Sequence, residues 1–371
     1  MSKGSTALIL PGGGARGAYQ VGVLKAVREI TAFAGNPFPI ICGTSAGAIN
    51  AAVLASHAHE FGIGVDKLEH FWSTMQCARV YRTDFWSVFK SAVQLALSMS
   101  LGGSLIRPPK SLLDNEPLRG FLEQTLRLEG LDTAIKSGSL RGLTITAAGY
   151  SCASAISFYQ GQADIEPWSR VRRHGRPVKI NIDHLMASVS LPFLFPAIQI
   201  GNEYFGDGGI RMLAPLSPAI HLGADRVLVI TTRDEKPDPF PEKPAPYPAP
   251  GEIGGYLLDT IFMDTLNSDL NRMNRINRIL GLLPKDSRQT SGLILMDSLV
   301  IRPSRDLRDV TREHASEIPW AVRMLLRALG AWGRDWRMAS YLLFDSSYCK
   351  ELISLGYQDG LNARQELLDF L

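Results

Sequence analysis

Phe38-Pro39-Ile40-Ile41-Cys42-Gly43-Thr44-Ser45-Ala46-Gly47-Ala48-Ile49-Asn50-Ala51-Ala52 reads as an apolar strand, a sharp turn and an Ala-rich helix, with a serine at the apex. Gly43 and Gly47 leave room for a turn tight enough to hold the Ser45 hydroxyl clear of the backbone. The helix beginning at Ala46 turns its N-terminal dipole toward any negative charge that develops there. This is the pattern of a nucleophile elbow. With glycine near 7% of residues, Gly-x-Ser-x-Gly arises by chance in about one chain of this length in ten. Its meaning therefore depends on its surroundings.

Upstream, Thr6-Ala7-Leu8-Ile9-Leu10 reads as a buried strand, followed by Gly12-Gly13-Gly14-Ala15-Arg16-Gly17. Ala18, Val21, Leu24 and Val27 then recur at helical spacing. Successive glycines between a strand and a helix let backbone N–H groups converge on an oxyanion or a phosphate. The plain alternative is a tight turn without a ligand. Gly12-x-Gly14-x-x-Gly17 also matches the dinucleotide fingerprint, which requires an acidic residue about 20 positions on. No Asp or Glu lies between Glu29 and Glu60, and no Gly-Lys-Ser/Thr follows the loop. Both nucleotide readings are weak.

Downstream, Asp207-Gly208-Gly209 follows a hairpin-like segment, 197–205, that turns at Gly201-Asn202. Alone it is an ordinary turn. Taken in order with the glycine loop, the elbow serine and the run Ala187-Ser188-Val189-Ser190-Leu191-Pro192-Phe193-Leu194-Phe195-Pro196, it resembles the patatin-like phospholipases, a group of serine acyl hydrolases. The matching blocks span roughly the first 230 residues. The resemblance implies a Ser-Asp dyad: Ser45 as nucleophile and Asp207 as the group that accepts its proton. It implies an oxyanion hole of the Gly12, Gly13 and Gly14 amides, with Arg16 at the family's basic position beside it. Gly43, Gly47, Gly208 and Gly209 would support the two turns. One departure is Leu213, where the family commonly carries Asn, although Pro215 falls as expected.

The chemistry is coherent without the family name. A serine hydroxyl needs a base during attack, and the tetrahedral intermediate needs donors aimed at its oxygen. Burial would raise the Asp207 pKa and make it a better base, while hydrogen bonds from the turn amides would oppose that shift. A conventional triad would place its histidine after the acid, at His221 or His314. His221 reads as a structural histidine and His314 as a solvated one. His57 and His59, at i and i+2, do not share a helical face. No Cys/His cluster has zinc spacing, and neither a metal nor a cofactor is expected.

The chain has 371 residues, 45% of them hydrophobic and 20% charged, which fits a large globular core. A net charge of +3 gives no ground for a nucleic-acid partner. Cys42, Cys77, Cys152 and Cys349 are scattered and read as free thiols of a reducing compartment. No leader is expected before the first strand, and no apolar run reaches the roughly 20 residues needed to span a bilayer. The expected location is cytoplasmic, extending to peripheral membrane contact. Oligomeric state is left open.

Strands are expected near 6–10, 38–42, 142–148, 154–159, 197–205, 227–231 and 292–302, alternating with helices. This implies a three-layer α/β/α fold with a mostly parallel sheet and a helical cap insertion. The expected organisation is one acyl hydrolase domain over 1–371, with a cap or lid at 60–130. A Pro-rich exposed loop at 234–252 and a helical C-terminal extension at 305–371 complete it. Phe85, Trp86, Phe89, Val93, Leu95, Leu97, Met99 and Leu101 give the cap an apolar surface that either packs inward or touches lipid. The 256–282 stretch carries an apolar stripe with Phe262 on it and Arg272, Arg275 and Arg278 beside it, expected to pack on its own domain. The basic run Arg170, Arg172, Arg173, His174, Arg176 and Lys179 reads as a solvated loop, and Trp332, Trp336, Tyr341 and Phe344 as packing groups of terminal helices. The expected function is hydrolysis of carboxylic esters in phospholipids or lysophospholipids. The alternatives are acyl transfer (acyltransferase or transacylase) at the same site, or nucleotide or lipid binding without turnover.

Overall fold

Thr6–Leu10 (β1) is buried along its whole length, as a central parallel strand requires. Ala7 and Ile9 enter one core while Leu8 and Leu10 enter another, so the sheet is covered on both faces. In this computed structural model the described residues are 5–371, except 32–34, 101–108, 239, 241, 243, 245 and 291. Leu101, Pro239 and Pro241, and the side chains of Leu95, Met99 and Phe262, lie outside them.

The remaining strands are Ile40–Thr44 (β2), Gly142–Gly149 (β3), Ser154–Gly161 (β4), Trp168–Arg170 (β5), Arg173–Pro177 (β6), Ile198–Ile200 (β7), Glu203–Asp207 (β8), Arg226–Ile230 (β9) and Asp297–Ile301 (β10). They form one mixed sheet, with β10, β9, β1, β2 and β3 side by side and parallel. Beyond β3 the sheet turns partly antiparallel through β4, while β6 returns parallel to β4. The 38–42 expectation thus shifts to 40–44, carrying the strand up to the elbow serine itself. The last strand is shorter than 292–302. The basic run is a β5–β6 hairpin rather than a loop, since Arg173–Pro177 completes the sheet beside β4.

Helices Ala18–Thr31, Ala46–Ser56 and Ser346–Asn362 cover one face. Ser217–His221 and part of Pro250–Leu282 cover the other. That long helix buries Leu258, Leu266, Leu270, Met273 and Leu280 and leaves Arg272, Arg275 and Arg278 exposed. It begins at Pro250, so the Pro-rich excursion ends at Ala249. In the 60–130 stretch, Phe61–Ser73 packs into the main core through Val65, Leu68, Phe71 and Trp72. The following Phe85–Ser100 helix instead leaves Phe85, Trp86, Phe89, Val93 and Leu97 exposed.

One detail of register builds the site. Along one edge of β3, β2 is parallel and ends with Thr44 opposite Thr146. On the same edge β8 runs in from the opposite direction and ends with Asp207 opposite Ala147. Thr44 and Asp207 therefore lie opposite consecutive residues of β3, which brings Ser45 beside Asp207 although the two are 162 positions apart in sequence.

Candidate active site

Ser45 caps the Ala46–Ser56 helix with φ 55° and ψ −131°, a strained conformation for a residue with a side chain. Close packing enforces it. A Cβ on Gly47 would stand 2.0 Å from the Leu10 carbonyl oxygen, so the elbow helix can sit on the end of β1 only with glycine there. Gly43 is the last residue but one of β2, and a Cβ on it would stand 2.5 Å from the Gly47 carbonyl oxygen. The Ser45 N–H donates to Ser188 Oγ at 2.9 Å, and the Ser188 hydroxyl donates to the Thr146 carbonyl at 2.6 Å. Two residues on, the Ser190 carbonyl accepts from the Asp207 N–H at 2.8 Å. The Ala-Ser-Val-Ser run thus braces both Ser45 and Asp207, a role its sequence alone did not disclose.

Asp207 is fully buried. Its Oδ1 accepts from the Gly209 N–H at 2.9 Å across the turn opened by Gly208, whereas Oδ2 has no hydrogen-bond partner among the described residues. Burial pushes its pKa up to about 7; the nearby Ser45 hydroxyl and the Gly209 amide pull the other way without prevailing. Two opposing effects foreseen from sequence are therefore ranked here: desolvation wins.

Gly12, Gly13 and Gly14 lie between β1 and a short turn of 3₁₀ helix, Gly14–Gly17. Among the described residues no acceptor takes their backbone N–H groups. Gly14 has φ 55°, and a Cβ there would stand 2.3 Å from the Tyr341 carbonyl oxygen, so the loop is open only to glycine. Thr232 donates to the Gly12 carbonyl at 2.9 Å. Gln20 donates to the Pro11 and Ile230 carbonyls, and Asn50 joins Gln20 to Gly17 while accepting from Trp72. The loop is held at several points while its amides stay free.

The model of the patatin-like phospholipase family matches residues 8–220. The chain belongs to this family. It is also similar to lysophospholipase nte1 of Aspergillus terreus, at 56% identity over 54 residues, and to lysophospholipase NTE1 of Chaetomium globosum, at 48% over 54 residues. Each of those matches takes in 15% of this chain and 3% of the relative's length. VipD from Legionella pneumophila superposes with a TM-score of 0.36 at 12% identity, over 99% of this chain and 67% of that one.

Within this patatin-like frame, Gly14 and Ser45 open onto a narrow apolar cavity of about 30 Å³. Its walls include Trp72, Val80, Leu191, Phe195, Tyr341 and Phe344. The last two come from the C-terminal region, where sequence gave them only a packing role; nothing local distinguishes them from other buried aromatics. Ser45 is 2% exposed, so the site is closed to solvent.

Arg16 lies in the Gly14–Gly17 turn just after the glycines. Rather than lining this cavity, its guanidinium bonds Ser340 Oγ and Asp259 Oδ1, at 2.6 and 3.1 Å, and lies 4.3 Å from the Tyr341 ring centre. Burial works against its charge, but Tyr341 and Asp259 outweigh that and keep it protonated. Leu213 is exposed, and the loop after Asp207 is tied instead by Asp269, whose Oδ2 accepts from the Leu216 N–H at 3.0 Å. His221 stacks on Trp168 at 4.6 Å. His314 is half-buried: it caps Leu307–Glu313 and pairs with Glu351 at 2.6 Å. Nδ1 of His57 contacts the Val53 carbonyl and Nε2 contacts Lys67. Cys42, Cys77, Cys152 and Cys349 are free thiols. Among the described residues no helix is long and apolar enough to cross a membrane.

Proposed function

We propose that this protein hydrolyses carboxylic esters of phospholipids or lysophospholipids through an acyl-Ser45 intermediate. One observation carries the reading: beside a strained elbow serine stands a buried carboxylate with one oxygen unpartnered and a pKa near neutrality. As ester enters, Ser45 Oγ attacks the carbonyl carbon and its proton passes to Asp207 Oδ2. The amides of Gly12, Gly13 and Gly14 receive the oxyanion. Collapse breaks the ester C–O bond, and the alcohol leaves with the proton held by Asp207. Water then attacks the acyl-enzyme, again giving a proton to Asp207. Breakage of the Ser45 ester bond releases fatty acid and returns that proton to the serine.

The lipid assignment draws on the family, on the lysophospholipase names of the relatives, and on the apolar wall at Ser45. The closed cavity must widen to admit an acyl chain. The Phe85–Ser100 helix follows directly on Val80 and Tyr81, which belong to the core around that cavity, and carries Trp86 74% exposed. Phe85 packs against Trp320 at 5.2 Å, and Trp320 and Met324 extend the exposed apolar surface onto a second helix. A surface of this kind seats at the interface of a lipid layer, where tryptophan is favoured. Helical cap 60–130, Pro-rich loop 234–252 and C-terminal region 305–371 are accordingly assigned to one hydrolase domain, the first meeting lipid and the last walling the site.

The test is position-resolved mass spectrometry of fatty acid release from mixed phospholipid and lysophospholipid vesicles, with wild type, Ser45→Ala and Asp207→Asn. Release lost in both folded variants is the expected result. Equal release by Ser45→Ala would end the mechanism, and diversion of acyl groups to added alcohols would favour acyl transfer.

A further inference from the structure

The β5–β6 hairpin concentrates arginines, and among the described residues Arg170 and Arg173 have no ion-pair partner. Its register sets Arg170 directly opposite Arg173, a like-charge pairing that disfavours the sheet by itself. Arg170 has a 3.3 Å hydrogen bond to the adjacent Ser169 carbonyl. Among the described residues no carboxylate comes within ion-pair distance of Arg170 or Arg173. Both line a cavity of about 400 Å³ on the face of the sheet away from the elbow helix, and Arg272 lines it from the long helix. His221 also faces this cavity; burial, then Arg170 and Arg173, push its pKa down and favour the neutral ring. Among the described residues Asp269 is the one carboxylate in the lining. Its Oδ2 is committed to the Leu216 amide, and its Oδ1 lies 3.9 Å from Arg272. Three guanidinium groups thus face one carboxylate. Apart from Ser217 and Asn277 the rest of the described wall is apolar, with Ile220, Leu293 and Ile294 partly open to solvent and Ile276 behind them.

We propose that this groove is a second ligand site, separate from Ser45, which takes a single-chain anionic amphiphile. The arginines hold its head, and the chain lies along Ile220, Ile276, Leu293 and Ile294. Positive charge alone would serve any anion. The apolar wall selects one that brings hydrocarbon with it, and the volume falls in the range of small-molecule pockets. A carboxylate head, as in a fatty acid, and a phosphate monoester, as in a lysophosphatidate, present the same anionic chemistry to guanidinium groups.

The experiment is calorimetric titration of Ser45→Ala protein with oleate, with oleoyl lysophosphatidate and with inorganic phosphate. It is repeated on the same protein carrying Arg170→Gln, Arg173→Gln and Arg272→Gln. The expected result is saturable binding of an amphiphile that the arginine changes weaken by about tenfold or more. The tighter of the two amphiphiles names the head. Equal binding without the arginines, no binding at all, or phosphate binding as tight as the amphiphiles would each overturn the proposal. Arg170→Gln alone is expected to leave the melting temperature of the empty protein unchanged or higher, because it relieves a like-charge pair. A clear fall would make the arginines structural and overturn the assignment. Hydrolysis of a water-soluble ester by protein with Ser45 intact is expected to survive the three arginine changes, which separates this site from the catalytic reading.

Discussion

Two buried aspartates differ in almost everything except burial. Asp259 is 1% exposed and lies among Arg16, Arg233, Arg337 and the Tyr341 hydroxyl, at 3.1, 3.4, 3.2 and 2.8 Å. Burial would raise its pKa, but those cations and the hydroxyl outweigh it and hold the carboxyl below its usual range. Asp207 is equally buried, has no cation among its hydrogen-bond partners, and is pushed up to about 7. A carboxylate enclosed by guanidinium groups stays charged and serves as a structural anchor. One enclosed by backbone and apolar groups becomes a base poised near neutral pH.

The network around Asp259 reaches further. Arg233, Arg308 and Arg337 also converge on Asp238, in the Pro-rich segment. It therefore joins the glycine loop, the long helix and the C-terminal Arg337–Leu342 helix, whose Tyr341 walls the cavity.

The largest test of the contrast is Asp207→Asn. Turnover should fall on the order of 10³-fold or more, since the proposed base is lost while its shape is kept. The same change should raise the melting temperature at pH 8. The fold favours the neutral acid, so the contribution of Asp207 to stability is full below about pH 4 and lost as pH rises through about 7. A variant that melts lower than wild type at pH 8 would break the comparison.

Asp259→Ala should act on stability instead. It leaves three buried or half-buried arginines facing one another, with an expected cost of about 3–5 kcal/mol in denaturant unfolding. Its pH sense is opposite. The depressed pKa makes its contribution full above the ordinary aspartate range and lost as pH falls below it. Acid unfolding of wild type should therefore be steeper than that of Asp259→Asn.

A smaller effect is the pH profile of acyl-enzyme formation. The rate should rise about tenfold per pH unit below 7 and level off above it, as Asp207 loses its proton. A profile flat between pH 5 and 8 would remove Asp207 as the base. Smallest is Tyr341→Phe, which deletes one hydrogen bond to Asp259 while three arginines remain, at about 1 kcal/mol.

Much of the candidate site left a mark in the sequence because its backbone turns admit only particular residues. The elbow needs glycine where a Cβ would strike Leu10, and the glycine loop needs it where a Cβ would strike Tyr341. Such requirements leave a mark in the sequence at each position. The apolar strand runs were legible for the same reason, since a strand buried on both faces has few polar options. The β5–β6 hairpin was missed because its arginines and histidine lack the apolar alternation that marks a strand, and only pairing with β4 orders it. The fate of Arg16 was equally hidden. Its position follows from the local motif, but Asp259 and Ser340 lie 243 and 324 residues away in sequence.

By itself the sequence determined the strand–turn–helix units, the identities of the serine, the aspartate and the glycines, and the family they resemble. Only the tertiary structure decided that β2 and β8 meet end to end on one edge of β3, that burial outweighs hydrogen bonding at Asp207, and that C-terminal aromatics wall the cavity. Glycines at tight turns and apolar strand runs mark the chain at their own positions whatever distant group they meet, and so can be read in order along it. Desolvation and ion pairing depend on which distant groups surround a charge, and that is fixed only when the chain has folded.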